Sequence, residues 1–139
     1  MTATGKTPSP ITVRVVPDHR RMSCVFRSFG RFAVDVEQFT QATMRESCTA
    51  YTGGLWDYYE LSNAGFFMVP TCAETYAVSR SNYFEGELSA QAVGIMTTLA
   101  GIMITWGRTE VDLLGLRYES LIDYARSQPE WALIRAALD

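Results

Sequence analysis

Few side chains in this sequence are placed to do chemistry. The only histidine, His19, lies in "DHRR" with Asp18 before it and Arg20 and Arg21 after it. A histidine beside a carboxylate is the smallest acid–base unit. Here the arginines and the bounding Pro17 fit a surface histidine better. Three carboxylate pairs follow, Asp35/Glu37, Glu85/Glu87 and Glu110/Asp112, each spaced i, i+2. On a helix such residues point about 200° apart, so they do not share a face. On a strand they would, and only Glu85/Glu87 lies in a segment that could be extended. Helix starts account for the other two pairs, because carboxylates suit the positive end of a helix dipole. The cysteines, Cys24, Cys48 and Cys72, form neither a CxxC pair nor a disulfide framework. With one histidine they do not complete a zinc site. They are expected to be reduced, buried thiols of a cytoplasmic protein. No GxSxG, HExxH, GxGxxG or Walker A pattern occurs, and "YTGG" lacks the Lys-Ser/Thr that a phosphate loop needs. The residues therefore predict no catalytic residue, no cofactor and no metal. The chain does not read as an enzyme.

The aromatics are denser than the titratable groups. Residues 51–70 read "YTGGLWDYYELSNAGFFMVP". Trp56, Tyr58, Tyr59, Phe66 and Phe67 could stack bases or sugar rings. A stacking platform is normally flanked by Lys or Arg, and the nearest are Arg45 and Arg80. A hairpin core is the better reading, with Trp56 and Tyr58 on one strand face and Leu55, Asp57, Tyr59 and Leu61 on the other. If any of it meets a partner, the candidate surface is Trp56, Tyr58, Tyr59, Ser62, Asn63, Phe66 and Phe67, centred on the hairpin tip.

Charge is uneven. Residues 1–31 hold Lys6, Arg14, Arg20, Arg21, Arg27 and Arg31 against Asp18, a net +5. The remaining residues hold six basic and fourteen acidic side chains, a net −8. The basic segment can meet an acidic partner or the acidic body of its own chain, and the second is the simpler reading. The body is too mildly acidic to imitate DNA along its length.

These residues need elements to position them. The 139 residues fit a single domain with a real core. Residues 1–10, rich in Thr, Ser and Pro, are expected to be a disordered tail, and 11–139 the domain. "ITVRVVP" reads as a short strand, and "DHRRMSCVFRSFG" leads to a turn or helix stop at Gly30. A helix is predicted over 34–48. Gly53-Gly54 breaks it, and "LWDYYELS" and "FFMVP" form a hairpin around "NAG", with Gly65 as the left-handed residue. "TYAVSRSNY" can add a third antiparallel strand, and "FEGELS" reads as a loop. Residues 88–107 contain no charge and are long enough to span a bilayer. Their polar residues and glycines, with no basic cluster on one flank, fit a central buried helix over 90–106 instead. Ser89 should cap it, Leu88 and Val93 should staple it, and Gly94 or Gly101 should permit a close contact. Further helices are predicted over 110–126, capped by Thr109, and 128–138, opened by the capping box "SQPE". The fold expected is α+β: a small antiparallel sheet of three to four strands packed against about four helices. No secretory h-region opens the sequence, which predicts a cytoplasmic protein without a membrane segment.

The central segment also resembles a known signature, that of the ArdB/KlcA antirestriction family. It reads Tyr-x-Gly-Gly-x-Trp-x-aromatic-Tyr-x-Leu-Ser-Asn-x-Gly-aromatic-aromatic-Met-x-Pro. Tyr51, Gly53, Gly54, Trp56, Tyr58, Tyr59, Leu61, Ser62, Asn63, Gly65, Phe66, Phe67, Met68 and Pro70 match it. "LSAQAVGIMTTL" and "YESLIDYARSQPEWALIRAALD" are similar to the family's helix start and C-terminal helices. "RRMSCVFRSFG" departs from it where Pro is common, and Ala64 stands where Gly is common. The resemblance covers about residues 15–139. It implies a non-enzymatic, plasmid- or mobile-element-type protein that protects incoming DNA from type I restriction and largely spares modification. It also implies a type I restriction–modification complex as partner, with interference at the translocating or cleaving assembly. Direct nucleic-acid binding, through the basic segment 14–31 and the aromatic hairpin, is the alternative that the residues disfavour.

Overall fold

The computed structural model describes residues 10–139. The expected tail, Pro10 apart, lies outside them. The order of elements is β1 (Val13–Val15), α1 (Arg21–Phe29), α2 (Ala33–Ser47), β2 (Trp56–Leu61), β3 (Phe66–Pro70), β4 (Thr75–Ser79), β5 (Glu85–Ser89), α3 (Ala90–Thr109), α4 (Asp112–Ala125) and α5 (Trp131–Leu138). The fold is α+β, with the strands in two antiparallel sheets, β1-β2-β3 and β4-β5.

The uncharged helix α3 is the centre. Its threonines fit a dry interior because each is bonded. Thr97 donates to the Val93 carbonyl and Thr105 to that of Gly101, one turn back, while Thr98 Oγ1 accepts the Met68 N–H at 3.1 Å. That last bond shows how the sheet ends. β3 is an edge strand, and an uncovered edge is a template for unwanted pairing. Here α3 lies along it. Gly94 makes the approach possible, since a Cβ there would stand 2.2 Å from the Met68 carbonyl oxygen. Gly101, two turns further along the same helix face, does the same for α2, where its Cβ would meet Thr40 Oγ1 at 2.3 Å. α3 is long and apolar enough to cross a membrane by length and composition, yet 67% of its apolar window is buried inside this protein.

The sheet β1-β2-β3 is covered on both faces at β3, whose five residues are all buried, while β1 stays exposed. Phe66 meets Phe29 of α1 edge-on at 5.4 Å between centroids. On the opposite face Phe67 is stacked between Tyr59, its cross-strand partner at 5.1 Å, and Tyr124 of α4 at 5.7 Å. Such aromatic pairs add stabilisation beyond their burial.

Several local expectations change. "FEGELS" is not a loop: 85–89 is strand β5, paired with β4 in register Thr75↔Ser89. β4 is the expected antiparallel strand, but it belongs to this second sheet. Residues 21–29 form α1, which Gly30 ends at φ +57°. The left-handed residue of the first hairpin is Ala64, at φ +70°, and not Gly65. Gly65 is needed for room, because its Cβ would stand 2.7 Å from Leu61 Cδ1. Ser89 caps α3 as expected, accepting the Ala92 N–H at 3.1 Å. Thr109 instead ends α3, bonding back to the Thr105 carbonyl, and Val111 precedes α4. The "SQPE" capping box does not form. Glu130 is drawn away to α3, accepting the Ser89 N–H at 2.9 Å and the Ser89 hydroxyl at 2.5 Å. A carboxylate there complements a 20-residue helix N-terminus. Ser127 donates to the Tyr124 carbonyl.

Candidate functional site

The β2–β3 hairpin gathers the residues singled out in the sequence, but it does not present them alike. Trp56 is 4% exposed, and its Nε1 donates to the Tyr51 hydroxyl at 2.8 Å. Phe66 and Phe67 are fully buried. The rings of Trp56, Phe66 and Phe67 are therefore core, with no face free for a partner. Tyr58 and Tyr59 are half-buried. The Tyr58 hydroxyl donates to the Glu37 carboxylate, and burial, aided by that bond, pushes its ionisation up. Burial and the neighbouring Asp57 raise Tyr59 as well.

The tip is built from a short polar circuit. Ala64 N–H donates to the Leu61 carbonyl at 3.1 Å and Leu61 N–H to that of Gly65 at 2.9 Å. Asn63 Oδ1 accepts the Gly65 N–H at 3.0 Å, while its Nδ2 donates to the Ser120 carbonyl of α4 at 2.8 Å. Asn63 is thus a turn residue and a tether. Ser62 is exposed, with its Oγ accepting the Thr12 N–H at 2.9 Å. Beside it, β1 turns Val13 and Val15, 44% and 53% exposed, to the sheet face that also carries Tyr59. Burial leaves Ser62 and Ala64 exposed at the hairpin tip, Tyr58, Tyr59 and Asn63 half-buried, and the two valines exposed on the neighbouring β1.

The acidic residues of β2 take up the basic segment. Glu60 accepts Arg14 at 2.9 Å and Arg27 at 2.6 Å. Arg21 reaches Asp18 at 3.0 Å and Asp57 at 3.2 Å. Three of the five arginines of segment 14–31 are thereby matched within the chain, as self-complementarity predicts. Arg31 lies over the Phe32 ring at 5.0 Å. The bonds from Arg14, then those from Arg27 and Cys24, hold Glu60 below the usual carboxylate range. Burial and the Glu60 charge push the Cys24 thiol up to about 11, so it is not a nucleophile at neutral pH. The basic segment is legible in the sequence but its acceptor is not, because nothing in the spacing of Glu60 marks it.

The remaining chemical candidates stay apart. His19 is exposed on a single 3-10 turn. Glu85 and Glu87 do share a strand face, and both are exposed. Among the described residues no three of His, Cys, Asp and Glu cluster as metal ligands would. Cys24 and Cys48 are buried, but Cys72 is exposed, contrary to expectation. Its Sγ lies 3.1 Å from the Gly53 carbonyl, where Gly54 leaves it room, since a Cβ there would stand 2.4 Å from the sulfur.

Known proteins share this architecture. The family model described as "Antirestriction protein" matches residues 49–139. The antirestriction protein KlcA of Escherichia coli is 35% identical over 136 residues, covering 94% of this chain and 96% of KlcA. The uncharacterized protein YafX of Escherichia coli strain K12 is 34% identical, covering 93% and 88%. A solved structure from work on the KlcA and ArdB proteins superposes with a TM-score of 0.86 at 34% identity, over 98% of this chain and 100% of that one. Those proteins are described as a novel fold with antirestriction activity against type I DNA restriction systems in vivo but not in vitro. By the family match and by near-full-length identity to KlcA, this chain belongs to the antirestriction protein family.

Proposed function

We propose that this protein protects incoming plasmid or mobile-element DNA from type I restriction endonucleases, and that it does so by binding protein and not by catalysis. The observation that carries the reading is the superposition, over nearly the whole chain, on a structure from work on proteins with that activity in vivo. The non-catalytic part draws on how the carboxylates are used. Glu60 is matched by two arginines, Asp57 by Arg21, Glu37 by Tyr58 and Glu130 by Ser89. Each is committed to holding two elements together. The partner is a type I restriction–modification complex in its translocating or cleaving state, met in the cytoplasm. An activity seen in cells but not with purified components, as described for KlcA and ArdB, suits a target that exists only during that process. The hairpin contributes Tyr59 and Ser62 to the contact, and the adjoining β1 contributes Val13 and Val15.

The nucleic-acid reading needs the arginines of 14–31 for phosphates, and their pairing with Glu60 and Asp57 works against it. The experiment is transformation with unmodified plasmid. Expression of this protein should restore efficiency in a type I restricting host and leave a non-restricting host unchanged. Equal efficiencies with and without the protein, in several restricting hosts, contradict the proposal.

A further inference from the structure

The second hairpin repeats the turn of the first and adds to it a ring that the turn does not need. In both, a Ser-Asn-X sequence closes the strands: 62–64 is Ser-Asn-Ala and 81–83 is Ser-Asn-Tyr. The bonds correspond one for one. Tyr83 N–H donates to the Arg80 carbonyl at 3.1 Å and Arg80 N–H to that of Phe84 at 2.9 Å. Asn82 Oδ1 accepts the Phe84 N–H at 3.0 Å, and its Nδ2 donates to the Ala136 carbonyl of α5 at 3.0 Å. The third residue is left-handed in each, Ala64 at φ +70° and Tyr83 at φ +72°. That conformation favours Gly or Asn and is an outlier for a bulky residue. Tyr83 is 95% exposed, so its ring returns almost no packing for the strain.

The tip beneath that ring is anchored. Arg80 donates from Nε to the Ala137 carbonyl at 3.0 Å and from Nη1 to Ser47 Oγ at 2.9 Å, tying the turn to the ends of α5 and α2. A projecting aromatic on a fixed base loses little freedom on binding, which is what a contact hot spot requires. The ground beside it is acidic. Glu46 and Glu85, both exposed, line one shallow groove with Ser47, Ser79 and Gly86. Glu87 lies on the same strand face as Glu85. Arg80, the basic residue of the turn, is committed inward.

We infer that the β4–β5 tip is a docking point, at which Tyr83 enters a ring-sized pocket of a protein partner whose rim carries Lys or Arg opposite Glu46 and Glu85. The inference rests on the antirestriction reading above, since that partner would belong to the restriction assembly. Four forms should be compared for plasmid protection in a restricting host: wild type, Tyr83→Gly, Tyr83→Phe and Glu46→Lys/Glu85→Lys. Removing the ring should cost about tenfold or more in protection, the scale of a lost aromatic anchor. The Phe variant should keep protection and the charge-reversed variant should lose it. Tyr83→Gly relieves the left-handed backbone, so it should melt at or above the wild-type temperature, which separates lost contact from lost fold. Wild-type protein without protection would defeat the functional reading itself. Protective wild type with an equally protective Tyr83→Gly would overturn this inference alone. A change of sedimentation from dimer to monomer on Tyr83→Gly would also overturn it, by making the occupant a second copy of this chain.

Discussion

The two hairpin turns, at 61–65 and 80–84, share a sequence pattern, a bond pattern that ties each to a helix and a left-handed third residue, yet the strands beneath them differ. The first stands on a strand whose five residues are all buried, with α3 laid along its free edge. The second joins strands of alternating burial and is fixed by polar tethers to α2 and α5. The same turn chemistry thus serves packing in one place and display in the other. The third position is exposed in both turns, but it carries a lone methyl at Ala64 and a whole projecting ring at Tyr83.

The largest effect should come from disturbing the covered edge. Gly94→Ala sets a methyl against the Met68 carbonyl, which is backbone and cannot swing aside. We predict a loss of about 3 kcal/mol, the upper part of the overpacking range. Urea unfolding measures it, and a near-neutral result would mean that α3 does not abut β3 as described.

The tethers come next. Asn63→Ala and Asn82→Ala each remove one turn acceptor and one donor to a helix carbonyl. Each should cost about 1–2 kcal/mol, and the two costs should be similar if the turns are equivalent. A measurable loss at only one would break the comparison. Ala64→Gly, measured in the same way, should gain up to about 1 kcal/mol by relieving left-handed strain, offset partly by glycine's greater freedom when unfolded.

The smallest effect concerns the ionic face of β2. The folded Glu60 carboxyl lies below its unfolded value of about 4.3. Its stabilising contribution is therefore complete above that unfolded value and is lost as pH falls through the folded one. Glu60→Gln should flatten the acid limb of the stability–pH curve, by about 1 kcal/mol or less because Arg14 and Arg27 are well exposed. An unchanged acid limb would show that these pairs do not hold the basic segment.

Legibility in the sequence followed the same division. The first hairpin could be read because aromatic strand formers fill both arms and "NAG" marks the turn. α3 could be read because 20 uncharged residues with a Ser cap leave few other fates. β5 could not, since Glu-Gly-Glu is poor strand material and is extended only because β4 pairs with it. α1 has no capping side chain at its start and owes its helicity to the burial of Cys24, Val25 and Phe29. Of the candidate surface, the sequence could place Trp56, Phe66 and Phe67 on a hairpin. Only packing tells that both of its faces are covered. The pairing of Glu60 and the anchoring of the β4–β5 turn are not legible for one reason: Arg14 is 46 positions from Glu60, and Ala136 is 54 positions from Asn82.

The central claim is that protection comes from occupying a partner. Its most direct test is restriction of unmodified plasmid measured against a graded intracellular amount of this protein, with the restriction complexes counted in the same cells. Occupancy predicts that protection rises in proportion to the protein and saturates only when it matches or exceeds the complexes. Full protection at a small fraction of that number would mean turnover, and would contradict the account.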